Sequence, residues 1–95
     1  MNLVIRKNAA NAIADTAAWV NMINTDGAGD RWFSRIIETL QSAARSGVLH
    51  AICQNEALAR RGYRCFTYRQ KWIVAYQIKG YDFTVYRFIL GSKLA

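Results

Sequence analysis

The hydrophobic pattern of the chain changes period once, and the change divides it into a helical half and a stranded half. Leu3, Val4 and Ile5 form a short apolar run before Arg6, which suits a brief strand. Asn8 is then a suitable N-cap, and Ala10, Ile13, Ala14, Ala17, Val20 and Ile23 follow at helical spacing. Residues 24–30 carry turn formers, and Asp26 or Asp30 would sit favourably at the positive end of a following helix. Trp32, Phe33, Ile36, Ile37, Leu40 and Ala44 mark the apolar face of that second helix until Gly47 supplies a stop. Residues 48–59 have no clear period and read as a connection with one helical turn around Glu56 to Arg60.

From Gly62 the period falls to two. Residues 63–69, 72–79 and 82–90 are rich in aromatic and β-branched side chains, and Gly80 breaks the last pair at a tight turn. Strands this close in sequence form an antiparallel meander. Alternation puts Arg64, Phe66 and Tyr68 on one face of the first strand, and Trp72, Val74, Tyr76 and Ile78 on one face of the second. In the third it sets Phe83, Val85, Arg87 and Ile89 against Asp82, Thr84, Tyr86, Phe88 and Leu90. Both faces of the meander are substantially apolar, yet only one can lie under the helices. The other is therefore partly aromatic, partly basic and exposed unless a partner covers it. The expectation is a single α+β domain over residues 1–95: a short N-terminal strand and a helical hairpin packed on a small antiparallel sheet that ends in a three-stranded meander.

Composition agrees with one folded domain, since 95 residues at 53% apolar content suffice for one core and not for two. No apolar run approaches the length of a membrane span. The N-terminal basic pair Arg6 and Lys7 is followed by Asn8, Asn11 and Asp15 where a signal peptide needs continuous apolar sequence, so a cytoplasmic protein without a membrane partner is expected. In that setting Cys53 and Cys65 read as reduced thiols.

Charge sharpens the picture. Of the net +7, all resides beyond Ala57, where eight cations meet the single acid Asp82; before it, five cations balance five acids. A strand-borne basic surface points to an acidic partner, whether nucleic acid or an acidic protein segment.

Enzyme chemistry is sparse. The chain has no glycine-rich phosphate loop with a lysine, no CxxC, no HExxH and no GxSxG. His50 is the sole histidine, lacks metal-ligand spacing to the cysteines and reads as a surface residue near a helix end, so neither a metal nor a cofactor is expected. Helix-start electrostatics accounts for Asp26 and Asp30. Arg60, Arg61, Arg69, Lys71 and Lys79 suit solvated edges and turns. Arg64 and Arg87 stand mid-strand between apolar neighbours and are the better candidates for a partner contact. Tyr68 and Tyr76 fit packing beside that surface better than they fit catalytic phenols.

The segment RRGYRCFTYRQKWIVAYQIKGYDFTVYRFILGSK resembles the closing half of the RelE/ParE superfamily of small toxins from type II toxin–antitoxin systems. Gly62 and Arg64 match the family's Gly-x-Arg start, Tyr76 its strand tyrosine, and Val85, Arg87, Ile89, Gly91 and Lys93 its closing strand. The order of strand, helical hairpin and meander is similar along the whole chain. Leu90 stands where the family's histidine is common, and Lys93 replaces its final arginine. Phe66 and Ile73 occupy positions where the RelE-like branch, which cleaves messenger RNA on the ribosome, carries basic residues.

The ParE-like branch is the better likeness. It implies a toxin of the plasmid-stabilisation kind that poisons DNA gyrase without being a hydrolase, neutralised by an antitoxin whose acidic tail folds along it in a hetero-oligomer. The partner-facing set under this reading is Arg61, Arg64, Tyr68, Tyr76, Arg87 and Lys93. Two alternatives stand beside it. One is a ribosome-dependent endoribonuclease using Arg64, Arg87 and Lys93 to stabilise charge at the scissile phosphate; the other is a non-toxic binding module on the same fold.

Overall fold

The computed structural model describes residues 1–94. In chain order the elements are β1 (Asn2–Ile5), α1 (Lys7–Ile23), α2 (Ala28–Ser46), α3 (Glu56–Arg60), β2 (Arg64–Tyr68), β3 (Trp72–Lys79), β4 (Asp82–Leu90) and a closing 3₁₀ turn (Gly91–Leu94). The strands form one sheet in the order β1-β4-β3-β2. The meander is antiparallel as expected, while β1 pairs parallel with β4, Leu3 opposite Phe83 and Ile5 opposite Val85, so the sheet is mixed.

Helix α1 starts at Lys7, one residue earlier than an Asn8 cap would give, with Arg6 at the N-cap. Sheet pairing decides this: the Arg6 amide donates to the Val85 carbonyl at 2.9 Å, and the Arg6 carbonyl already accepts from Ala10 at 2.9 Å. Alanines at 9, 10, 12, 14, 17 and 18 leave the inward face of α1 ambiguous in sequence. Ala9 and Ile13 are the buried residues, with Ala10 and Ala14 turned outward. Helix α2 buries Trp32, Ile36, Leu40 and Ala44, one row at a spacing of four, and Phe33 flanks that row in partial exposure. It ends at Gly47 in the left-handed region (φ 65°), with the Gly47 amide on the Ala43 carbonyl. The two helices touch closely at Gly29. A Cβ there would run into the Ala17 carbonyl oxygen, and the bare amide instead donates to Asn21 Oδ1 at 2.7 Å.

The helical hairpin covers one face of the sheet. The core joins Ala9, Ile13, Ile36 and Leu40 to Val74, Tyr76, Phe83, Val85 and Phe88. Fully burying each large side chain stabilises the fold by roughly 1.5–3 kcal/mol. Trp32 closes one end, edge-on to Tyr68, Trp72 and Phe88. A smaller cluster of Cys53, Leu58, Tyr63 and Ala75 lies on the opposite face under α3.

Two expectations are corrected by local geometry. Ala75 pairs with Arg87 but Tyr76 pairs with Val85, so Tyr86 is the extra residue of a β-bulge. Beyond it the alternation flips: Phe88 joins Phe83 and Val85 in the helix-side core, and Arg87, opposite Ala75, turns to the other face. Second, Cys53 and Cys65 form a disulfide where reduced thiols were expected. The Cys53 amide bonds the Tyr63 carbonyl and the Cys65 amide bonds the Ala51 carbonyl, which lays the connection along β2 and brings the two Cα atoms to 4.8 Å.

The β2–β3 turn holds Arg69 (φ 52°) and Gln70 (φ 58°) in the left-handed region, a hairpin turn built without its usual asparagine or glycine.

Candidate functional site

The residues expected to face a partner do not form one surface. Arg64 and Tyr76 are cross-strand neighbours on the helix side of the sheet. Arg87 is on the opposite face, half-buried. Arg61 is exposed at the C-cap of α3, and Lys93 is exposed in the closing turn. Tyr68 and Tyr76 are both buried, Tyr76 completely, so each is core rather than rim.

What Arg64 and Tyr76 meet is His50, which sequence reasoning set aside. The His50 amide donates to the Tyr76 hydroxyl at 2.9 Å, and His50 Nδ1 lies 2.8 Å from the same oxygen. The Tyr76 hydroxyl is also 3.3 Å from the Val48 carbonyl, and Arg64 Nη1 donates to the His50 carbonyl at 2.7 Å. Phe66 lies along the imidazole at 4.9 Å between ring centroids. These contacts pin residues 48–50, and the disulfide pins Cys53 a few residues on. The pinned loop turns Val48, Leu49 and Ile52 outward, Leu49 to 60% exposure. A histidine 26 residues from its tyrosine, in a segment without periodicity, leaves no signal in a single sequence.

This cluster is poorly suited to acid–base chemistry. The Tyr76 hydroxyl is buried and occupied by the loop, and Arg64 Nη1 is held on a backbone carbonyl. Arg87 and Lys93 lie elsewhere, so the three cations considered for a scissile phosphate do not converge. Among the described residues, no three His, Cys, Asp or Glu side chains gather as a metal site would require.

A groove of about 840 Å³ runs between α1 and the ends of β3 and β4. Trp19, Trp72, Phe88 and Leu90 give it apolar walls, and its charged lining residues are Lys71, Lys93 and, on α1, Asp15. Trp19 is 52% exposed there, a large apolar side chain left open on a helix. Charge around the molecule is mostly unpaired: among the described residues the one ion pair is Arg60 with Glu56 at 2.5 Å, both exposed. Such a pair contributes little to stability.

A helical hairpin on one face of a four-stranded sheet, with β1 beside β4, defines the ParE-like α+β fold. The solved structure described as "Chromosomal ParDE TA system from P. aeruginosa" superposes with a TM-score of 0.76 over 95% of this chain and 95% of that one, at 13% sequence identity. At that identity the likeness establishes the fold. No family model and no curated protein matches the chain.

Proposed function

We propose that this chain is the toxin of a type II toxin–antitoxin pair, of the ParE-like kind, acting by binding a target protein, DNA gyrase, in the cytoplasm. The observation that carries the reading is the superposition on a ParDE structure over nearly the full length of both chains. The geometry supports binding over hydrolysis, because the Tyr76 hydroxyl is buried against the loop and the cations do not converge. A cognate antitoxin with an acidic amphipathic segment suits the groove: apolar side chains would cover Trp19, Trp72 and Leu90, and carboxylates would reach Lys71 and Lys93.

The test is tightly controlled expression in a bacterial host, following growth, plasmid supercoiling and full-length transcripts, with the Arg64→Ala, Arg87→Ala double variant alongside. Growth arrest with relaxed or broken DNA and intact transcripts is the expected result. Arrest with transcripts cut during translation would replace the gyrase reading with a ribonuclease. Absence of arrest by soluble, folded protein would leave the non-toxic binding module.

A further inference from the structure

The sheet face away from the helices carries a second aromatic and basic cluster. Its centre is Tyr86, the bulged residue of β4. Tyr63 stacks on the Tyr86 ring at 4.7 Å between centroids, with 15° between planes. Arg6 Cζ lies over the same ring at 5.8 Å and Lys79 Nζ at 6.0 Å. Arg87, the next residue along β4, donates weakly to the Tyr86 carbonyl at 3.4 Å. Three cations, from the N-cap of α1, from β3 and from β4, thus lie on this face, two of them over the Tyr86 ring, and among the described residues none of the three is in an ion pair. Asp82 stands opposite Lys79 across the strands without forming an ion pair with it, so the face keeps an excess of positive charge that favours an anion.

A second observation adds to the field. Arg6 is also the N-cap of α1, whose first turn has no side-chain cap and no acidic residue. Its unpaired amides therefore present the positive end of a 17-residue helix beside the same cations.

The chemistry of the occupant follows from what the cluster offers and what it lacks. With Tyr63 on the ring and two cations over it, Tyr86 has no open face on which a base could stack. Cations and helix amides recognise phosphate oxygens, and a regular array of phosphates matches several separated cations at once. We propose that this face binds the phosphate backbone of duplex DNA, without sequence preference, through Arg6, Lys79 and Arg87. The site is independent of the groove assigned above to an antitoxin, and it uses two residues, Arg6 and Lys79, outside the partner-facing set expected from the sequence.

The experiment is fluorescence anisotropy of a labelled mixed-sequence DNA duplex against the full chain, repeated across a salt series. Binding should weaken with salt, and the Arg6→Gln, Lys79→Gln, Arg87→Gln variant should reduce the slope of log affinity against log salt by about 2.7, at about 0.9 per phosphate contact. The comparison is Arg31→Gln, Arg35→Gln, Arg45→Gln, which removes the same charge from the exposed side of α2. Arg6→Gln, Lys79→Gln changes only exposed side chains and guards against misfolding, with an expected slope loss of about 1.8. Equal loss in the patch and α2 variants would reduce the effect to bulk charge and overturn the proposal. So would the absence of duplex binding at low salt, or binding of polyglutamate at this face in preference to DNA. None of these results bears on toxicity, so the DNA surface and the toxin reading stand or fall separately.

Discussion

Replacing Tyr76 with phenylalanine removes one oxygen atom and tests whether the candidate site is an anchor or a reactive group. The ring would keep its stack on Phe83 at 4.3 Å, so core packing is preserved. What is lost is the hydroxyl that accepts from the His50 amide and shares its single proton between His50 Nδ1 and the Val48 carbonyl. A neutral hydrogen bond contributes about 1 kcal/mol net, and a polar group stranded away from water costs about 1–3 kcal/mol. The stranded His50 amide already includes the lost bond, so the middle of the second range, about 2 kcal/mol, is the expected loss. In a domain of this size that lowers the unfolding midpoint by roughly 8–16 °C. Urea unfolding gives the global number, and native-state hydrogen exchange gives the local one: the His50 amide should exchange about 30-fold faster, the equivalent of about 2 kcal/mol. A variant within about 0.5 kcal/mol of wild type whose His50 amide stays protected would refute the anchoring role. Growth arrest should survive the substitution below the variant's midpoint. Its loss in a folded protein would mean that the hydroxyl acts on the target.

Two further outcomes follow from the loop and the turn. The Cys53→Ser, Cys65→Ser variant opens a loop closed across a sequence separation of 12 and should lose about 3 kcal/mol by denaturant titration, while a loss below about 1 kcal/mol would show that the small cluster under α3 holds the segment unaided. Replacing the two left-handed residues of the β2–β3 turn, Arg69→Asn with Gln70→Gly, should raise stability by about 1 kcal/mol net of the Arg69 contact with the Tyr68 ring, and an unchanged or lowered midpoint would show that the turn is not strained.

The elements of the fold were legible because their signals are local. The change of period at Gly62, the row Trp32, Ile36, Leu40 and Ala44, and the stop at Gly47 each lie within a few residues of what they determine. The candidate site was legible only in part, because its geometry depends on pairings made at a distance. One extra residue at Tyr86 separates Arg87 from the side of Arg64, and no composition rule marks a bulge inside an aromatic strand. His50 gains its partners from β2 and β3, and Cys53 and Cys65 meet because an aperiodic connection runs back along β2. Ala10 and Ala14 share the helical spacing of Ile13 and Ala17 yet face outward, because alanine is apolar enough for the core and small enough for the surface.

The parallel pairing of β1 with β4 also orders events during synthesis. β1 is the first strand made and sits at the sheet edge with β4 as its neighbour, the last strand made. Until β4 is available, β1 has no sheet partner, and Ile13, Ile36 and Leu40 lack the Phe83 and Val85 side chains that complete their core. At about 5–20 residues per second, translation leaves the helical hairpin waiting several seconds for that strand. The groove beside α1 and the cationic face around Tyr86 both draw residues from β4, so neither exists on a partly made chain. Under the toxin reading, an antitoxin has no groove to occupy until β4 docks, so neutralisation acts on the completed sheet and not on the nascent polypeptide.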